Sequence, residues 1–64
     1  MRVTRREREV LSLLLRGKTN KQIAEALSIS GFTVRDHVSS LLKKSGVETR
    51  AALMAEHMFE RNSK

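Results

Sequence analysis

Between Thr19 and Arg35 the chain reads as a short helix, a tight turn and the start of a second helix, and that spacing constrains the fold more than any other feature. The turn, Leu27-Ser28-Ile29-Ser30, alternates apolar residues with small hydroxyl residues. Helices joined so tightly cross at a steep angle. The rest of the chain must then supply a core on one side of that pair. Because the 64 residues include no Pro and only 3 Gly, well separated, the chain is predicted to be helical almost throughout.

Local signals divide it into four helices. Thr4 and Glu7 fit a capping box, in which each side chain satisfies the other's free backbone amide. The first helix then runs from about Arg5 to Arg16, with Val10, Leu11, Leu14 and Leu15 on its buried face and Gly17 suited to end it. Thr19 and Gln22 form a second capping pair, opening a helix of about eight residues to Leu27 that buries Ile23, Ala24 and Leu27. Ser30 is the predicted N-cap of a third helix, from Gly31 to Lys44, ended by Gly46. Its stripe is Val34, Val38, Leu41 and Leu42. Thr49 caps a fourth, from about Arg50 to Arg61. Its main apolar face is Ala51, Met54, Ala55 and Met58, with Leu53 nearly opposite. The last residues, Asn62-Ser63-Lys64, read as a frayed end.

Composition narrows the function classes. The length bounds residues 1–64 to one domain. Without Cys, neither a disulfide nor a thiolate zinc site can add stability. With 3% aromatic residues, the core must be aliphatic, and one this small supplies about 3–5 kcal/mol, which favours association. Thirteen Lys and Arg against 7 Asp and Glu leave a net charge of +6, which favours a polyanion, nucleic acid before membrane. No apolar run approaches the roughly 20 residues of a membrane span. Leu13-Leu14-Leu15 is too short for a signal-peptide core, so a cytoplasmic location is expected.

With its stripe turned inward, the third helix presents Phe32, Asp36, Ser39 and Lys43 on the opposite side, and Arg35 and Ser40 on the flanks. An ordinary solvated face would be rich in Glu and Lys. Small hydroxyl residues instead let a helix approach DNA closely, and Arg can grip guanine or a phosphate. Two placements are open for Phe32: packed beside the turn, or outward, where contact with a thymine methyl is its natural role. Asp36 has three: accepting from a cytosine amino group, orienting Arg35, or pairing along the helix with Arg35 or Ser40. Thr19, Asn20 and Lys21 put donors at a helix start whose free amides suit a phosphate. Lys43 and Lys44 serve either the dipole end of their helix or a second phosphate contact. Arg5, Arg6 and Arg8 oppose the dipole of the first helix, and a phosphate or an acidic partner would explain them.

The fourth helix carries more apolar surface than one face can bury. Ala51, Ala52, Met54, Ala55, Met58 and Phe59 are read as a dimer seam, against burial in the protein's own core or cover for another domain. Catalysis has little support. His37 and His57 lie on different helices without a partner constellation, His37 reads as a packed structural residue, and the glycines form no phosphate loop.

Several blocks now fall in register. Thr4-Arg5-Arg6-Glu7-Arg8-Glu9-Val10-Leu11, Gly17-Lys18-Thr19-Asn20-Lys21-Gln22-Ile23-Ala24, Ile29-Ser30 with Thr33-Val34-Arg35-Asp36-His37, and Lys44-Ser45-Gly46-Val47 with Arg50 together resemble the LuxR-type (FixJ/NarL/GerE) helix-turn-helix domain. The likeness runs from about Val3 to Phe59. It implies an all-α fold, a four-helix bundle with a central helix-turn-helix and a C-terminal dimerisation helix. It also implies the role of a bacterial transcription regulator. Carried over by position, base contacts fall on Arg35, Asp36 and Ser39, and backbone contacts on Thr19, Asn20, Lys21, Ser30, Thr33 and Lys43. Ser40, on the flank, is placed with the backbone set and Phe32 with the base readers. Three positions depart from the family pattern: Gly31 for an acidic residue, Asp36 for a neutral or basic one, and Ser45 for a large apolar one.

The expected protein is therefore a sequence-specific binder of double-stranded DNA, not an enzyme, with no cofactor or metal. Expected partners are duplex DNA, a second copy through the fourth helix, and RNA polymerase; no membrane and no small-molecule ligand is expected for this domain. Such a domain usually follows a receiver or ligand-binding domain, so the chain is either a stand-alone regulator or a response-regulator effector domain. Two rivals stand beside this reading. The promoter-reading end of a sigma factor shares the Arg-Glu-Arg-Glu opening, but Gly46-Val47 and the helix after it argue against that. An antagonist that pairs with a full-length regulator is kept open by Asp36 on the reading face.

Overall fold

Each helix is begun by a side chain. Thr4 Oγ1 accepts from the Glu7 amide at 3.1 Å while Glu7 Oε1 accepts from the Thr4 amide at 2.9 Å. Thr19 and Gln22 repeat this pairing with the same distances, 3.1 and 2.9 Å. Ser30 Oγ accepts from the Thr33 amide at 3.1 Å, and Thr49 Oγ1 from the Ala52 amide at 3.0 Å. The computed structural model describes residues 2–62, with side chains through 58. It contains α1 (Arg5–Leu15), α2 (Asn20–Leu27), α3 (Gly31–Ser45) and α4 (Arg50–Asn62), and no strand among the described residues.

Three helices also end alike. The amides of Gly17 and Lys18 return to the carbonyls of Leu14 and Leu13, closing α1. Gly46 and Val47 return to Lys43 and Leu42, and Ser28 and Ile29 return to Glu25 and Ala24. These are paired Schellman bonds, which need a left-handed residue just past the helix. Gly17 and Gly46 take that role at φ +85° and +72°, as their positions in the sequence predict. At the turn between α2 and α3 the role falls to Ser28, at φ +56° and ψ +44°, the one non-glycine residue at positive φ among those described. The tight turn is thus a helix stop without glycine.

The helices enclose one aliphatic core: Val10, Leu11 and Leu14 from α1, Ile23 from α2, Val34, Val38 and Leu41 from α3, and Leu53 from α4. The central element is α3, which packs against all three others. Ala24 and Leu27 are only half-buried beside Ile23, because α2 is short and lies at the edge of the core. Leu15 is likewise half-buried, and Arg16 caps α1 instead of extending it.

The seating of α4 corrects the sequence reading of that helix. Leu53, expected nearly opposite the apolar face, is fully buried and anchors α4 against the core. The inner stripe is Arg50, Leu53, Met54 and His57, all buried or half-buried and spaced as one helical face. Ala51, Ala55 and Met58 are left exposed. Two of the four inner residues are polar, so a search for apolar residues alone picks out the wrong side.

Candidate nucleic-acid interface

The outer side of α3 follows from what its inner side buries. Val34, Val38 and Leu41 face the core, which turns Arg35, Asp36, Ser39 and Lys43 to solvent. Phe32 is 79% exposed, so it points outward and does not pack beside the turn. None of Phe32, Arg35, Asp36, Ser39 and Lys43 makes a side-chain hydrogen bond or ion pair among the described residues. Asp36 accordingly pairs with neither Arg35 nor Ser40. A carboxylate and a guanidinium therefore stand side by side on this surface, each with its polar atoms unspent.

Below them, Ser30 and Thr33 are locked together. Their hydroxyl oxygens lie 2.9 Å apart while Ser30 caps α3. Ser30 is exposed and Thr33 half-buried, at the lip of the turn. The start of α2 meets the start of α3 across a shallow concavity lined by Asn20, Lys21, Ser28, Gly31 and Arg35, among others. Tertiary packing thus brings two of the residues expected to hold the DNA backbone next to one expected to read bases. Lys21 is exposed and unpaired. Thr19 is exposed but occupied by capping, and Asn20 is held by Arg50, whose Nη1 donates to Asn20 Oδ1. Arg50 Nη2 also donates to the Lys18 carbonyl at 2.9 Å.

Ser40 is placed elsewhere. The sequence sets it on the flank of the outer face, whereas the fold turns its hydroxyl inward to donate to Glu7 Oε2 at 2.6 Å. Lys44 Nζ donates to the other oxygen, Glu7 Oε1, also at 2.6 Å. Glu7, only 5% exposed, is therefore a buried carboxylate tying α1 to α3. The Lys44 ammonium, the Ser40 hydroxyl and the Thr4 amide hold it well below the ordinary value of 4.5, at about 2, against the opposing cost of burial. Lys44 is thereby engaged in the fold, while Lys43 one residue earlier remains exposed and free. Sequence reasoning had no signal for Glu7 beyond its capping role, since its partners lie more than thirty residues away.

The other candidates divide in the same way. Arg5 and Arg8 are exposed and unpaired, and Arg6 lies 3.4 Å from Glu9. His37 is half-buried at the edge of the α3 stripe. On α4, Ala51, Ala55 and Met58 form an uncovered strip, Ala52 and Met54 are half-buried, and the Phe59 side chain lies outside the described residues. His57 Nε2 is buried without a hydrogen-bond partner among the described residues. Also among these residues, no His, Cys, Asp and Glu cluster could hold a metal ion, and no helix is long and apolar enough to cross a membrane.

Comparison with known proteins places this geometry. Residues 1–56 match the family described as bacterial regulatory proteins, luxR family. The chain is 48% identical over 54 residues to the spore germination protein GerE of Bacillus subtilis (strain 168), covering 84% of this chain and 73% of GerE. It is 54% identical over 55 residues to the uncharacterized transcriptional regulatory protein YhcZ of the same organism, covering 83% of this chain and 26% of YhcZ. To the nitrate/nitrite response regulator protein NarP of Escherichia coli (strain K12) it is 48% identical over 50 residues, 78% of this chain and 23% of NarP. The chain thus spans most of GerE and about a quarter of the two longer regulators. An all-α fold, a serine-capped α3 with its polar side uncovered, and these matches agree: the chain belongs to the luxR family of bacterial regulatory proteins, DNA-binding regulators of transcription and not enzymes.

Proposed function

We propose that the protein reads duplex DNA by laying α3 in the major groove. Arg35 and Ser39 contact base edges, Phe32 a thymine methyl, and Asp36 a cytosine amino group. Thr19, Asn20, Lys21, Ser30, Thr33 and Lys43 hold the phosphate backbone on either side. The observation that carries the reading is the outer side of α3: five neighbouring side chains of mixed chemistry, exposed and unengaged, beside a concavity that joins Arg35 to Lys21. Ser40 is left out of the backbone set, because its hydroxyl is committed to Glu7.

Two copies pair through Ala51, Ala55 and Met58 of α4, with Ala52 and Met54 at the margin, and read an inverted repeat with half-sites about one helical turn, ~10 bp, apart. Small residues there allow close helix approach. In a longer regulator the same domain would also meet RNA polymerase.

Titration of labelled duplex DNA at increasing salt tests the reading. Affinity should fall linearly on logarithmic axes, with a slope set by the number of phosphate contacts. Absence of binding at low salt would sink it. That outcome favours the second reading, an antagonist that pairs with a full-length regulator, which the unpaired Asp36 carboxylate on the reading face supports.

A further inference from the structure

We infer that Arg50 is a positioning residue for the DNA-backbone contact of Asn20, and that through it the seat of α4 governs the grip of α2. The inference rests on the reading of Asn20 as a backbone contact. Arg50 opens α4 on the inner stripe that Leu53 anchors, and its guanidinium reaches the start of α2. One arm donates to Asn20 Oδ1 and the other to the Lys18 carbonyl.

A primary amide has an accepting end and a donating end, and its orientation is set by its neighbours. With Oδ1 committed to a cation, the Asn20 amide cannot flip, since flipping would set its N–H groups against those of the guanidinium. Its Nδ2 donors are therefore directed away from Arg50, and the first-turn amides of Asn20 and Lys21 likewise have no intrahelical carbonyl to reach. The second arm pins the loop from which α2 starts. Two acceptors held at once by a planar fork is a task for Arg and not for the single ammonium of Lys.

A double-substitution cycle tests this, using the whole chain and a fluorescein-labelled random-sequence duplex at low salt, because backbone contacts are independent of sequence. Asn20→Ala should weaken binding about tenfold, Arg50→Lys by a similar factor, and the two together by no more than either alone. Losses that multiply in the double variant would overturn the proposal, making Arg50 an independent phosphate ligand. Unchanged affinity in Asn20→Ala would remove the reading of Asn20 itself. A loss in Asn20→Ala with none in Arg50→Lys would defeat the positioning role alone. A readout that needs no substitution is the Asn20 side-chain amide in the NMR spectrum of the unaltered protein. It should show a nuclear Overhauser contact to Arg50 and shift when the duplex is added, and a missing contact to Arg50 would also overturn the proposal.

Discussion

A buried carboxylate is costly unless its charge is answered, and Glu7 is answered three times, by Lys44, Ser40 and the Thr4 amide. Glu7→Gln keeps the shape but loses the ion pair and sets an amide N–H group against one of the three donors. A loss of about 1–3 kcal/mol in urea unfolding at neutral pH is expected. The pH dependence has a definite sign. Folding lowers the Glu7 value from 4.5 to about 2, so its stabilisation is present above 4.5 and fades as pH falls towards 2. Acid titration of the parent followed by circular dichroism should show that loss, and Glu7→Gln should flatten it; equal slopes would mean other carboxylates control acid unfolding. Across the concavity between α2 and α3 two cations have different expected effects. Arg35→Ala should relax base preference when bound sites are selected from a random duplex pool. Lys21→Ala should weaken all sequences alike and lower the salt slope by about one. If the two variants behave identically, the reading face has been misassigned.

Among the elements, the turn and α4 are the most exposed to single changes. Ser28 holds a left-handed conformation that costs a non-glycine residue about 1–2 kcal/mol. A β-branched side chain is worse there, so Ser28→Val should destabilise the domain by about 1–2 kcal/mol beyond the parent. A melt unchanged by Ser28→Val would show that the turn relaxes without cost. The helix α4 has its principal packing against α3, and Leu53 is its one fully buried residue among those described. Leu53→Ala removes about 2–4 kcal/mol, a large share of what a domain this size has, and should lower the melting midpoint by roughly 10–20 °C. A small shift would mean that α4 is seated by other contacts.

For the whole molecule, an excess of 6 positive charges makes association with a polyanion favourable. The uncovered strip of Ala51, Ala55 and Met58 is the seam of the association proposed between copies. Ala55→Glu lies on that strip and away from the core, so its effect on the melting midpoint should be slight. Its affinity for a two-half-site duplex should fall towards that for a single half-site, measured by anisotropy, because one carboxylate would face its own copy across a two-fold axis. Retained cooperativity in Ala55→Glu would move the seam off this strip.

The features legible in the chain alone are local. Thr4 with Glu7, Thr19 with Gln22, Ser30 before α3, and Gly17 and Gly46 after α1 and α3 act through residues three or four apart, so helix limits were legible to within about a residue. The outward Asp36, Ser39 and Lys43, with Arg35 on their flank, were legible too, because a stripe of Val34, Val38 and Leu41 leaves only one opposite side, whereas Phe32 kept two placements until the fold set it outward. Tertiary structure decided the rest. Whether a hydroxyl such as Ser40 faces a solvent groove or a carboxylate on another helix depends on how α1 lies against α3. Which side of α4 is inner was decided by where Leu53 fits, and Arg50 reached Asn20 only because that seat carried it there. A hydrogen bond between residues thirty positions apart has no periodicity to announce it; packing must first bring the two elements together.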